Sequence, residues 1–274
     1  LKSHQEPQAS SHTDNRLLDH KTQEKYYTRI VDKYMAFCSD AGQGDELLRR
    51  FSSLHIDTPM PAPNPVQRSL IPTDKAVVAN GLSDILAALR KLREGIVASK
   101  RADEFAAQAY LFCIRLSVLA KQPESYHAAI LHLLRAIHAK YPLAPLEVQE
   151  VVGYLVLDTA CRRRQLAEAI ALRQQFRLRD EKVNAALHAL IHDNYVLFRR
   201  VQRSVDGHKA RLMEWADGDV RVHTLKCLGR TYLSVDLNFL EDVAAANWDE
   251  LMGHHGVGWE LDKERVVIRK VKSR

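Results

Sequence analysis

Arginine is the side chain whose spacing first suggests chemistry in this chain. Arg162, Arg163 and Arg164 are consecutive, Arg173, Arg177 and Arg179 follow, and Arg199, Arg200 and Arg203 fall within five residues. A guanidinium is planar and offers its donors in a fork that matches two oxygens of a phosphate or a carboxylate. A block of them predicts a surface that tracks a nucleic-acid backbone, or one that docks an acidic protein. From Cys161 to Arg211 there are twelve Lys and Arg against five Asp and Glu, 12 − 5 = +7, while the whole chain balances at 40 − 34 = +6. The positive charge is therefore local, and the rest of the chain is close to neutral. Arg265, Arg269, Lys270 and Lys272, with Lys263 and Arg274 beside them, make the end of the chain basic as well. The candidate nucleic-acid contacts are Arg162, Arg163, Arg164, Arg173, Arg177, Arg199, Arg200, Arg203, Arg265, Arg269, Lys270 and Lys272.

Other reactive side chains carry less. His188 and His192 are four residues apart, so a helix would put them on one face within reach of one metal ion. No Glu follows His188 as in the zinc-protease signature and no third ligand is evident, so both are read as ordinary helix residues. His254 and His255 suit a helix C-terminus, whose partial negative charge favours them. Cys38, Cys113, Cys161 and Cys227 are far apart, and zinc needs closely spaced ligand pairs; they are read as buried free thiols of a reducing compartment. There is no G-x-S-x-G, no P-loop and no ordered glycine fingerprint, since the glycines at Gly253, Gly256 and Gly258 follow no strand. No carboxylate pair falls on a plausible cleft. The expectation is a protein without catalytic residues, metal or cofactor.

Positioning these residues is the work of helices. The chain has 274 residues, 46% hydrophobic and 27% charged, enough for a sizeable core. No apolar run approaches the ~18 residues of a membrane span, and no signal peptide opens the sequence. The chain starts at Leu rather than Met, so it is expected to be part of something longer. Residues 1–24 are polar and read as a flexible lead-in. In residues 25–75, Tyr27, Ile30, Val31, Tyr34 and Met35 repeat at helical spacing. Leu47, Leu48, Phe51 and Leu54 suggest a second short helix. Five of the nine prolines then fall between Pro59 and Pro72, which predicts an extended strap or linker.

Residues 76–216 read as helix after helix. Stripes run through Val78–Leu92, Phe105–Leu119, Ala129–Ile137, Val148–Leu155 and Leu166–Leu172. Short breaks at 122–124, 141–145 and 162–164 force neighbours antiparallel. A further helix, Val183–Ile191, ends at Asp193 and Asn194, both turn formers; Tyr195, Phe198 and Val201 begin another. No strict period is present, so the array is an irregular relative of the tetratricopeptide design.

In residues 217–274 the pattern changes. Val222, Leu225, Leu228 and Tyr232 form one stripe. Asp236 is placed to cap a second helix. Asn247, with Glu250 three residues on, is placed to cap a third, with Trp248, Leu251 and Met252 as its apolar face and Gly253 or Gly256 as its end. Val257, Trp259 and Leu261 alternate, 262–265 is a polar turn, and Val266, Ile268 and Val271 give a second strand. Trp248 and Trp259 are expected in the core rather than stacked on bases. Three short helices and a hairpin is the order of a winged helix. Asp249 and Glu250 near the start of its third helix disfavour reading of DNA bases through that helix.

Helical pairs, then Ala186-Leu187 through His192-Asp193-Asn194-Tyr195 and Phe198, then Leu225 through Gly229-Arg230-Thr231-Tyr232-Leu233, Val235-Asp236-Leu237 and Leu240 resemble the PCI domain. That module is shared by the proteasome lid, the COP9 signalosome and translation initiation factor 3. The SAC3/GANP and short-PCI branch is the nearest in kind. The resemblance covers about 104–271 and leaves the residues before Lys75 unplaced. It implies a mainly α fold, a TPR-like right-handed helical repeat stack followed by a winged helix with a small β-hairpin. It also implies a non-catalytic scaffold or adaptor subunit whose partners are other protein subunits. In the SAC3/GANP branch it implies RNA binding in mRNA processing and export as well, in the nucleus or cytoplasm. The alternative is a docking subunit that touches no nucleic acid.

Overall fold

The computed structural model describes residues 15–41 and 74–269, with side chains at 16–39 and 81–269. The short helix expected around Leu47 and Phe51, the proline-rich segment, and Lys270, Val271, Lys272 and Arg274 lie outside the described residues. The described chain is mainly helical, with a small three-stranded antiparallel sheet near its C-terminus. The helices are α1 (His20–Ala41), α2 (Asp74–Ala98), α3 (Glu104–Leu119), α4 (Pro123–His132), a short α5 (His138–Lys140), α6 (Pro145–Leu157), α7 (Leu166–Gln175), α8 (Glu181–Ile191), α9 (Tyr195–Ser204), α10 (Gly207–Met213), α11 (Asp217–Thr231), α12 (Leu237–Ala244) and α13 (Trp248–His255). The strands are β1 (Ser234–Asp236), β2 (Glu260–Asp262) and β3 (Arg265–Val267). The chain divides into two compact units, one of Leu1–Ala120 with Leu131–Pro142, the other of Lys121–Ile130 with Leu143–Arg274.

The first unit is held at its entrance by a buried polar knot. A 3-10 turn, Asn15–Leu18, and the helix that starts at His20 occupy residues expected to belong to a flexible lead-in running through residue 24. The reason is Leu17, which is buried against Gly95: a Cβ at Gly95 would lie 2.8 Å from that of Leu17. Only glycine permits that approach. Gln23 is fully buried and donates to the Leu17 carbonyl at 2.8 Å and to Ser99 Oγ at 2.9 Å. Arg101, also buried, donates to Glu24 at 2.6 Å and Asp103 at 2.7 Å, and its guanidinium lies 4.1 Å from the Phe105 ring centre. Tyr27 and Tyr34 pack T-shaped with Phe112, and Tyr27 also with Phe105. Met35, expected in the same stripe, is exposed.

The second unit is built around α6, whose residues 151–157 are all buried. It continues into a π turn, Asp158–Arg162. The Asp158 carboxylate is fully buried, accepts from Tyr126 Oη at 2.6 Å, and is held two-pronged by Arg162 at 2.6 and 2.8 Å. A buried carboxylate needs such partners, and burial together with that carboxylate pushes the Tyr126 hydroxyl pKa up. Burial likewise pushes the Cys161 and Cys113 thiols up, as expected of inert buried cysteines.

At the C-terminal end, β3 lies between β1 and β2, with Val266 opposite both Val235 and Leu261. β1 falls on Ser234–Asp236, between the stripe that ends at Tyr232 and the second helix, where no strand is expected from the sequence. Leu228, Val235, Leu240, Ala244, Leu251, Val257 and Val266 form the core here, with Trp248 and Trp259 partly buried against it. The caps fall where the residue types put them: Asp236 accepts from Phe239 N and Asn247 from Glu250 N. Gly256, at φ +57°, ends α13, and Gly253 stays inside it.

Candidate functional site

Much of the arginine block is paired within the fold. Arg162 is committed to Asp158, as above. Arg163 pairs with Glu168 at 3.1 Å and Arg164 with Asp219 at 2.7 Å. Arg173 donates to the Asn184 side-chain oxygen at 2.5 Å. Arg203 pairs with Asp242 at 2.5 Å and also reaches its carbonyl. Arg199 is only 4% exposed, which takes it out of the surface it was expected to form. Its guanidinium meets Asp217 at 2.5 Å and the carbonyls of Val243 at 3.4 Å and Ala244 at 3.3 Å. Arg177, Arg179 and Arg200 are the members of this block that are exposed and have no side-chain partner among the described residues. Arg265 is exposed and donates to Ser234 Oγ at 3.2 Å, and Arg269 is exposed and donates to the Arg230 carbonyl. Lys270 and Lys272 lie outside the described residues.

Two arginines complete the end of α12. That helix ends Ala244-Ala245-Ala246, and Ala245 takes the left-handed conformation at φ 51°. A helix end leaves carbonyls without intrahelical donors. Arg199 from α9 and Arg221 from α11 supply them, Arg221 reaching Ala244 O at 2.9 Å and Ala245 O at 2.8 Å. Arg221 also pairs with Glu250 at 3.2 Å. Sequence reasoning missed Arg221 altogether. The signal for it was a predicted helix that ends without glycine and therefore needs donors from elsewhere.

The C-terminal segment shows the opposite tendency: its apolar side chains turn outward. Val222, Tyr232, Leu233, Phe239, Met252 and Leu261 are each 40–52% exposed. Val222, Tyr232 and Met252 were expected on core-facing stripes. In α11 the buried row is instead Val220, Thr224 and Leu228, spaced i, i+4, i+8. Thr224 hides its hydroxyl by donating to Val220 O at 2.7 Å, which lets a polar residue hold a core position. β2 is an edge strand, and Glu260, Leu261 and Asp262 are all exposed. Unpaired edge backbone next to exposed apolar side chains is a template for another strand.

A cleft of about 90 Å³ opens where the α8–α9 turn meets α11. Phe198 and Ala189 are buried in its wall, and Asp193, Tyr195, Asp219 and His223 stand around it. The Asn194-Tyr195-x-x-Phe198 element therefore builds this cleft, with Asn194 also capping α9 through Leu197 N at 2.9 Å. Asp219 is already joined to Arg164, and His223 Nε2 lies 3.2 Å from Cys227 Sγ along the same helix. Trp215 is covered by the Lys121 ammonium, 5.0 Å from its ring centre.

No protein-family model matches this chain, and no curated protein is significantly similar to it. Among the described residues, no group of three or more His, Cys, Asp and Glu side chains is arranged to hold a metal ion. Among them also, no helix is long and apolar enough to cross a membrane.

Proposed function

We propose that this chain is a non-catalytic, PCI-like scaffold subunit that docks other protein subunits. In this reading α6–α10 belong to an irregular helical stack, and α11, α12, α13 and the sheet are a winged-helix module. The observation that carries it is the exposed apolar set Val222, Tyr232, Leu233, Phe239, Met252 and Leu261, the last of them on the edge strand β2. Large apolar side chains next to strand edges are what a protein interface covers. The setting that the PCI resemblance implies, a multi-subunit assembly of the nucleus or cytoplasm, fits that surface.

Direct RNA binding is the second reading. Arg177, Arg200, Arg265 and Arg269 are exposed and favour it. It ranks below protein docking because Arg162, Arg163, Arg164, Arg199 and Arg203 already hold carboxylates of this chain. A phosphate would have to share or displace those carboxylates, and Arg199 is buried out of its reach.

The test is to express the tagged chain in its own cells and compare it with Leu261→Arg, Phe239→Glu and the double variant. The docking reading expects the unaltered chain to elute in an assembly with a fixed set of partner chains, cross-linked through β2 and α12. The double variant should elute alone with an unchanged circular dichroism spectrum. An unaltered chain that elutes as a monomer, or a double variant that keeps every partner, overturns the reading. Salt-sensitive binding of single-stranded RNA that Arg177→Glu and Arg200→Glu abolish would promote the second reading in its place.

A further inference from the structure

His188 and His192 stand one turn apart at the end of α8, and both are exposed. Their ring centres are 4.3 Å apart, with 48° between the ring planes. Neither imidazole has a hydrogen-bond partner among the described residues beyond this ring contact. The backbone fixes their spacing: His192 N donates to His188 O at 3.1 Å, so the helical turn persists through the second histidine. The opposite side of the helix, with Val183, Ala186 and Leu187, is buried and anchors it. The pair is therefore presented on a rigid, outward-facing element rather than on a loop.

We propose that His188 and His192 form a two-point site for a divalent d-block cation, with copper(II) held tightest and zinc and nickel(II) more weakly. The argument is geometric. A metal bound at about 2.0–2.1 Å from each imidazole nitrogen lies ~3.2 Å from each ring centre. Two rings at a right angle about it then have centres ~4.5 Å apart, and at a tetrahedral angle ~5.2 Å apart. The observed separation is close to the right-angled case, which is the arrangement of cis nitrogens in tetragonal copper(II) and nickel(II) sites. A small rotation of either exposed ring reaches the tetrahedral case. The site lies at the C-terminal end of α8, where the partial negative charge of the last carbonyls favours a cation. Water fills the remaining coordination positions, because the pair faces solvent. Calcium and magnesium, which prefer oxygen ligands, are not bound.

The experiment uses the whole chain without a histidine tag, stripped of metal. Copper sulfate and zinc chloride are titrated by calorimetry, copper binding is followed also by its visible absorption, and calcium chloride serves as the negative probe. The variants are H188Q, H192Q, the double variant, and H254Q as a control on another exposed histidine; circular dichroism confirms that each folds. Chelation across one turn expects one tight equivalent in the unaltered chain and in H254Q. It expects at least a tenfold loss of affinity in H188Q, a similar loss in H192Q, and no further loss in the double variant. Zinc should also raise the thermal midpoint of the unaltered chain but not that of either single variant. Tight uptake that survives in the double variant, or single variants that each lose only half of it, overturns the proposal.

Discussion

The helices from α6 to α10 and the segment from α11 to β3 use their surfaces in opposite ways. The first carries the local charge excess yet points most of its arginines at carboxylates of its own fold. The second has an ordinary composition yet leaves six large apolar side chains exposed. The difference teaches that a charge count over a window measures composition, whereas a surface is what remains after pairing. Asp158, Asp217, Asp219 and Asp242, which hold Arg162, Arg199, Arg164 and Arg203, all lie outside the window in which the excess was counted.

The sharpest way to break this comparison is to mutate neighbours that sequence cannot tell apart. Arg199→Ala removes a buried guanidinium, takes the charged partner from Asp217, and takes from the Val243 carbonyl the donor that Arg199 supplies, while Ala244 O keeps Arg221. It should destabilise the fold by about 3–5 kcal/mol, the cost of breaking a buried pair. Arg200→Ala, one position on and exposed, should stay within about 0.5 kcal/mol. Urea unfolding of both proteins measures the contrast. Equal effects would mean that Arg199 contributes no more to the fold than its exposed neighbour.

A second pair probes the apolar side. Leu228→Ala empties a fully buried core position and should cost about 2–4 kcal/mol. Val222→Ala, from the same expected stripe but exposed, should cost no more than about 0.5 kcal/mol. If Val222 instead proves as costly as Leu228, the exposed set is part of the core and no docking face remains.

Those contrasts also mark how far the sequence could be read. Helix ends were legible where a side chain declares them: Asp236 and Asn247 cap α12 and α13, and Asp193 and Asn194 divide α8 from α9. The core tryptophans Trp248 and Trp259 were legible from their apolar neighbours. β1 was not, because three residues have no period and Val235 becomes a strand residue only by lying opposite Val266. Thr224 was no part of the expected stripe, because its type is polar although a hydroxyl that bonds its own helix behaves as apolar surface. Pairings such as Arg203 with Asp242 join residues far apart in the chain, and one sequence contains no record of them. The His188–His192 spacing was legible as a shared face, but only the structure shows both rings exposed and in contact.

The smallest contrast concerns a clamp that joins two helix starts. Lys209 Nζ lies 2.9 Å from both Asp180 and Asp206, the N-caps of α8 and α10. Burial works to raise both carboxyl pKa values, but the hydrogen bonds from Lys209 and from the helix backbones outweigh it, and both are held below the ordinary 3.8. Burial works to lower the Lys209 pKa, but its bonds to Asp206 and Asp180 hold it above the ordinary 10.5. A depressed carboxyl contributes stability that is present above its unfolded value and is lost as pH falls through the folded one, below 3.8. A raised ammonium contributes stability that is complete below 10.5 and is lost as pH rises through the folded value. Lys209→Met should therefore lower stability across the plateau between these limits by about 1 kcal/mol, a partly exposed pair being worth no more. It should also remove the alkaline decline that the clamp contributes, and part of the acid decline. The residual acid slope belongs to the backbone bonds that Asp180 and Asp206 accept as caps. Urea midpoints measured at pH 3, 7 and 11 separate the two contributions, and an alkaline slope unchanged in the variant would show that Lys209 carries none of it.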